Sequence, residues 1–200
     1  VLIRYGQGLI VAGASPTVTA LSALHNQPSG LLLRQGATLD TTAALLRYNA
    51  VGAQLEDTAQ LSLSDSVIKN NTTNAAAIGD HTLIAAHNWW GSTDETTIQN
   101  SVSTQVDFSN ALQTEPLLTP AIGTPDGNTL VGEPTVELQL ACRTAEEMRM
   151  SEDSAFQGVF FDTFSPSQTF TLSSGGGVKP VYAQFRSITG EISTPVAIYL

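Results

Sequence analysis

The sequence predicts an all-β chain in two parts, a short parallel β-helix followed by a small antiparallel β-sandwich. Three observations predict it. The first is a repeat: similar segments begin at Gly8, Gly30 and Gly52 (GLIVAGASPTVTALSALHNQPS, GLLLRQGATLDTTAALLRYNAV, GAQLEDTAQLSLSDSVIKNNTT), 22 residues apart each time. A fixed period in the twenties marks a coil in which one copy makes one turn. The second is texture. Apolar residues alternate over short spans (Leu9 and Val11, Leu31 and Leu33, Leu61 and Leu63), with Thr and Val between and Gly, Asn, Ser and Pro as punctuation, which is the pattern of strands. The leucine framework and helical segment of leucine-rich repeats, which share this period, are missing. The third is a break: residues 114–134 hold four of the nine prolines and three glycines, and beyond Thr135 the pattern turns to antiparallel β.

In chain order, Leu2-Ile3-Arg4-Tyr5 matches Leu45-Leu46-Arg47-Tyr48, so the first residues are expected to close an earlier turn. No N-terminal cap is visible, and an uncapped coil exposes free backbone groups with apolar side chains behind them. Leu2, Ile3, Leu9 and Val11 are therefore the expected assembly edge. Within the repeats, Val11, Leu33, Leu55 and Ile78 are expected to form one inward column and Leu24, Leu46 and Ile68 another. Stacked turns lie roughly 4.8 Å apart, and each buried Leu or Val is worth about 2 kcal/mol. Gln27, Asn49 and Asn71, with Asn88 at a comparable place, suit an amide ladder at a turn. A shortened fourth copy from Ala75 ends in HNWWGS. Trp89, Trp90 and Gly91 stand where the repeat stops, so they are expected to cap the coil rather than to form a sugar-stacking platform. Ser92 and Glu95 read as a capping box opening a short helix to about Asn100, with a strand near Gln105 to Phe108.

The stretch from Thr114 is a linker, with a first strand of the next domain placed at Asn128 to Val131. Further strands are expected at Val136–Ala141, Glu147–Met150, Thr169–Leu172, Val181–Phe185 and Val196–Tyr199. Val136, Leu138 and Leu140 alternate with Glu137 and Gln139, as in a half-buried strand, and short strands so spaced make a sandwich. The expected division is 1–118, a linker 119–134, and 135–200.

Composition narrows the function. Net charge is −10, with 18 acids against 8 Lys and Arg, which opposes nucleic-acid binding. Cys142 is the only cysteine, so no internal disulfide forms. No apolar run approaches the roughly 18 residues of a membrane span. The chain begins with Val and carries no signal peptide, so a processed or excised chain is expected.

Residues 8–118 resemble the right-handed parallel β-helix repeats of the pectin-lyase-like class, found in bacterial and archaeal surface proteins. The resemblance is carried by SPTVT from Ser15, SDSVIKNN from Ser64 and HNWWGSTD from His87. Residues 121–200 resemble the immunoglobulin-like modules of secreted bacterial proteins, through EEMRMSEDSAFQG from Glu146, TFTLSSGGG from Thr169 and VYAQFRSITGEIS from Val181. The resemblance implies an extracellular or cell-surface setting. Enzymes of the first class usually carry more turns and a carboxylate-rich, often calcium-binding face, and those residues have no counterpart here.

No constellation for catalysis emerges, and neither a cofactor nor a metal site is expected. Asp40, Glu56, Asp57, Asp65 and Asp80 fall in different columns, whereas glycoside hydrolysis needs two carboxylates across one cleft and calcium needs several converging oxygens. His25, His81 and His87 show no ligand spacing. Ser173 to Gly177 lacks the phosphate-loop register and reads as a hairpin turn. Cys142 suits a small buried side chain. Two sequons overlap at Asn70 and Asn71. The sharper pattern is a file of Arg4, His25, Arg47 and Lys69, one per turn on the outside: a solvated stripe, or a contact for an anionic polysaccharide or an acidic neighbour. The expected function is a non-catalytic extracellular structural protein or adhesin that assembles through its N-terminal turn into a fibre, with copies of itself or an upstream domain as partners. The alternative is a carbohydrate-binding or polysaccharide-cleaving fragment of a larger secreted protein.

Overall fold

Each turn of the N-terminal half runs through three faces, and like faces stack in register. The computed structural model describes residues 1–200, in two units, Val1–Pro116 and Leu117–Leu200. In the first unit, sheet A stacks β1 (Leu2–Arg4), β3 (Ser22–Leu24), β6 (Leu45–Arg47) and β9 (Val67–Lys69). Sheet B stacks β2 (Leu9–Ala12), β4 (Ser29–Arg34), β7 (Val51–Leu55) and β10 (Thr73–Ala77). Sheet C stacks β5 (Thr38–Thr42), β8 (Gln60–Ser64), β11 (Leu83–Ile84) and β12 (Val106–Asp107). All pairs are parallel. Bridges from Val67 to Trp89 and from Ala75 to Val102 complete a fifth layer. The predicted parallel β-solenoid is therefore observed.

The inward columns hold the layers together. Val11, Leu33, Leu55 and Ala77 align on sheet B, Ala23, Leu46 and Ile68 on sheet A, and Leu39, Leu61 and Leu83 on sheet C, all buried in one core. Two column assignments change. Ala77, not Ile78, pairs with Leu55, and Ile78 lies 56 % exposed. Ala23, not Leu24, faces Leu46.

Between sheets the chain turns by placing one residue per layer in the left-handed region. Tyr5, His25, Tyr48 and Asn70 do so after sheet A, and Ala20, Ala43, Asp65 and His87 before it. For a non-glycine residue this costs about 1 kcal/mol, offset by stacking on the layers above and below. The amide ladder lies at the first of these corners, shifted from its expected register. Asn26, not Gln27, donates from Nδ2 to Asn49 Oδ1 at 3.0 Å, Asn49 to Asn71 at 3.0 Å, and Asn71 to Asn74 at 3.2 Å. Asn88 belongs elsewhere: its Oδ1 accepts from Ser66 N–H, and Ser66 Oγ accepts from Ala44 N–H in the next layer. The ladder also explains the repeating glycine. A Cβ on Gly30 would stand 2.7 Å from Asn49 Nδ2 and 2.8 Å from the Gly52 carbonyl oxygen.

Helix α1 (Glu95–Asn100) follows the coil and buries Ile98 in its core. Its N-cap is Asp94, not Ser92. Asp94 Oδ2 accepts from Thr97 N–H at 2.8 Å, while Ser92 Oγ accepts from Asp94 N–H.

The second unit is two antiparallel sheets in a sandwich-like arrangement. One orders β13 (Ala121–Gly123), β14 (Thr135–Ala141) and β17 (Ser167–Thr171). The other orders β16 (Asp162–Thr163), β15 (Ala145–Ser151), β18 (Pro180–Ser187) and β19 (Val196–Tyr199). Val136 and Leu138 from the first meet Val181 and Ile198 from the second, as their alternation predicts. The opening strand is Ala121–Gly123, while Asn128–Val131 forms no strand. Ser173 to Gly177 joins strands of different sheets, so it is a crossover and not a hairpin turn. The loop after β15 is pinned by aromatic contacts: the Arg149 guanidinium lies 4.6 Å from the Phe156 ring and 4.5 Å from that of Phe161, and Arg186 lies 4.5 Å from Phe161.

Candidate functional site

β1 and β2 are the outermost strands of their sheets, each with one edge unpaired. In sheet C the corresponding place is taken by irregular chain, whose Ala14 carbonyl accepts from Thr38 N–H. Among the four residues expected at this edge, Leu2 is 61 % exposed, Ile3 and Leu9 are half-buried against the core, and Val11 is buried. Val1 adds 65 % exposure and Ile10 37 %. Unpaired backbone beside apolar side chains is a template for another strand.

The expected cationic file is rearranged. Register places Arg4, Leu24, Arg47 and Lys69 in one line on the outer face of sheet A, and His25 drops out of it. Arg47 and Lys69 both donate to the Glu115 carboxylate, one to each oxygen. Glu115 is 1 % exposed at its side chain. The segment that carries it returns along the coil: Ser109 accepts from His87 N–H, and Leu112 N–H donates to the Asn88 carbonyl. It crosses the face where Leu45, Val67 and Trp89 point outward yet are buried. Two of the three Lys and Arg side chains in the file thus share one carboxylate within the unit, which leaves one positive charge among the three groups, and Arg4 alone stays exposed. Glu115 escaped sequence reasoning because it lies outside the repeat, 68 residues from Arg47 and 46 from Lys69.

His25 instead joins a stack of rings at the corner after sheet A. Its ring lies 5.1 Å from Tyr5 at 13° and 4.9 Å from Tyr48 at 14°. These spacings match one layer each. Tyr5 ends the stack, 78 % exposed.

Elsewhere the titratable groups are dispersed. Asp40 points outward from sheet C in line with Ser62 and Ile84, and with Gln60 they line a shallow groove of about 290 Å³. Glu56 accepts from the Gln54 amide, Asp57 from Gln35 N–H, and Asp65 meets His87 Nδ1 at 2.9 Å with both side chains more than half exposed. Nowhere do three His, Cys, Asp or Glu side chains converge as metal ligands. Hydrogen bonds from the Thr97 hydroxyl and N–H hold Asp94 below the usual carboxylate range, and Ser109 does the same for Asp107. Trp90 lies in the coil core, whereas Trp89 is buried on the outer side of sheet A in line with Leu45 and Val67. Gly91 adopts φ 87°, and a Cβ there would stand 3.0 Å from Lys69 Cβ. In the second unit, burial pushes the Cys142 thiol above its ordinary value. An opening of about 630 Å³ there is lined by Leu130, Leu172, Val178 and Leu200 among others, and Lys179 at its rim is already bonded to Ser173 and Ser174. A scan against protein-family models gave no match, and a search of curated proteins gave none.

Proposed function

We propose that this chain is a non-catalytic structural or adhesive module of an extracellular surface protein, whose coil is lengthened by strand addition onto its first layer. One observation carries the reading: β1 and β2 present unpaired edges while Val1 and Leu2 stand more than half exposed beside them. Covering that layer satisfies backbone groups and removes apolar surface from water together, the two terms that favour strand addition. Copies joined head to tail through such a contact form a filament where the rotation between them does not close a ring. The resemblance of the coil to pectin-lyase-like surface repeats, and of the second unit to immunoglobulin-like modules of secreted proteins, supports the extracellular setting. The engagement of Arg47 and Lys69, both largely buried, by the shared Glu115 carboxylate weighs against a polysaccharide contact on that face.

The test is sedimentation velocity of the full chain over a wide concentration range, with electron microscopy of the concentrated sample. Self-association that grows with concentration is expected. Leu2→Lys together with Ile10→Lys should abolish it, because charge on an edge blocks pairing. A chain that stays monomeric at every concentration ends the self-assembly reading.

A further inference from the structure

The corner after sheet A carries one left-handed residue in each layer, in the order Tyr5, His25, Tyr48 and Asn70. The first three are rings stacked at 5.1 and 4.9 Å. The fourth is not a ring. Tyr48 N–H donates to the Asn70 carbonyl at 3.1 Å, which places Asn70 in the adjoining layer, and the face of Tyr48 turned away from His25 has no ring upon it. On the far side the next layer brings only Ser92 to this level, because Trp89 stands opposite Val67. Asn70 is exposed, and its side-chain amide bonds to no other group of the chain.

The residue that interrupts the ring file also opens the first of two overlapping sequons, Asn70-Asn71-Thr72 and Asn71-Thr72-Thr73. The fold separates the two. Asn71 is a rung of the amide ladder: its Nδ2 donates to the Leu46 carbonyl at 2.9 Å and to Asn74 Oδ1 at 3.2 Å, and its Oδ1 accepts from Asn49 Nδ2. That nitrogen is also packed so closely that a Cβ on Gly52 would stand 2.8 Å from it. Both of its hydrogens are engaged, so a substituent there dismantles the rung. Asn70 is under neither restraint, and Thr72, the hydroxyl residue of its sequon, is exposed.

We propose that Asn70 is the acceptor of an N-linked glycan, and that the first sugar takes the place in the file where the fourth layer lacks a ring. The proposal rests on the extracellular setting, since only an exported chain meets the donor, an oligosaccharide carried on a lipid diphosphate. Asn70 Nδ2 bonds to the anomeric carbon, the bond from that carbon to the diphosphate oxygen breaks, the lipid diphosphate leaves with the electron pair, and one amide proton passes to the transferase. Transfer precedes folding, because in the coil the segment is held by Tyr48 N–H on the Asn70 carbonyl and by Thr72 N–H on that of Asn49. Folding then decides between the sequons. Chains modified at Asn70 close the fourth layer, and chains modified at Asn71 do not. In the finished coil the first sugar projects one layer from Tyr48, a spacing at which its carbon–hydrogen face covers the open face of the ring.

The test uses the full chain, exported behind a cleavable leader from a glycosylating eukaryotic host, beside the unmodified chain made in a bacterial cytoplasm. Glycans are trimmed enzymatically to one sugar and located by fragment mass spectrometry. The exported chain should carry its sugar on Asn70. Thr72→Ala, which spares the second sequon, should remove it, and Thr73→Ala, which destroys the second, should leave it. The one-sugar coil should melt about 2–4 °C above the unmodified coil, an advantage that vanishes in the Tyr48→Ser background. An exported chain bare at Asn70, a sugar found on Asn71, or an advantage indifferent to Tyr48→Ser overturns the proposal, and sedimentation of the unmodified chain still decides the self-assembly reading. Retention inside the host, with Thr72→Ala and Thr73→Ala combined as without them, overturns the extracellular setting and the proposal with it.

Discussion

Asn49→Ala tests the amide ladder at its most connected rung. Asn49 is 2 % exposed. Its Nδ2 donates to the Ala23 carbonyl and to Asn71 Oδ1, both at 3.0 Å, and its Oδ1 accepts from Asn26 N–H at 2.9 Å and Asn26 Nδ2 at 3.0 Å. Truncation removes four hydrogen bonds and strands the buried Asn26 N–H. At about 1 kcal/mol net for each bond, the loss is about 3–4 kcal/mol, a large share of the 5–15 kcal/mol typical of a domain. Gln27→Ala is the control. Gln27 is exposed, and its loss should change stability by no more than about 0.5 kcal/mol. Both tryptophans, Trp89 and Trp90, lie in the first unit, so urea unfolding followed by tryptophan fluorescence reports on the coil alone. With a slope of about 2 kcal/mol per molar, the midpoint for Asn49→Ala should fall by about 1.5–2 M at unchanged slope. A shift below about 0.5 M, or a Gln27→Ala effect equal to that of Asn49→Ala, would refute the ladder as a source of cohesion.

Three further outcomes follow from the same structure. Glu115→Gln leaves Arg47 and Lys69 without their shared carboxylate and should lower coil stability by about 2–4 kcal/mol, with most of the loss absent when Arg47→Met and Lys69→Met are already in place. Asp94, whose folded value lies below the ordinary 3.8, contributes stability that is complete above that value and is lost as pH falls through the folded one. Asp94→Asn should therefore flatten the decline of the unfolding midpoint on the acid side of about pH 4, and an unchanged slope would exclude the cap as its source. Cys142, buried and with its thiol raised by desolvation, should react with a disulfide reagent only as fast as the second unit unfolds. Rapid modification under native conditions would show that the strand interior is open.

How far the sequence exposes this fold depends on where the period is counted. The glycines at 8, 30 and 52 lie on or beside sheet B, whose partners are 22 residues apart, and from them the coil, its inward Val11–Leu33–Leu55 column and its end at Trp90 are legible. Sheet A obeys a different count. Leu2 pairs with Ser22, Ser22 with Leu45 and Leu45 with Val67, spacings of 20, 23 and 22. The cause lies in the corner between the sheets. From the left-handed residue to the residue before the next sheet-B glycine position, the corner holds three residues in the first layer (Tyr5–Gln7), five in the second (His25–Ser29) and four in the third (Tyr48–Val51). The second layer's extra residue shifts everything on its sheet-A side by one, which is why Leu24 stands in for Ala23, Gln27 for Asn26 and His25 for a member of the cationic file.

These are one displacement with three consequences, and its physics is general to a stacked coil. Inward side chains are held at a fixed height by their neighbours, so their column survives any change in the length of a solvent-facing corner. Corner residues are selected by what they touch in the adjacent layer, ring on ring at 4.9–5.1 Å and amide on amide at 3.0–3.2 Å, and a longer corner simply loops outward while those contacts stay in place. A single period therefore locates the core and mislocates the corners, where partner-facing chemistry sits. Recounting each corner from its own left-handed residue puts Tyr5, His25 and Tyr48 in one file. It also predicts that inserting a residue beside Gln27, where the corner is already looped and exposed, costs little, whereas inserting one within β6 displaces Arg47 from Glu115 and Leu46 from the core together. Comparable unfolding midpoints for the two insertions would show that layer contacts do not set the register.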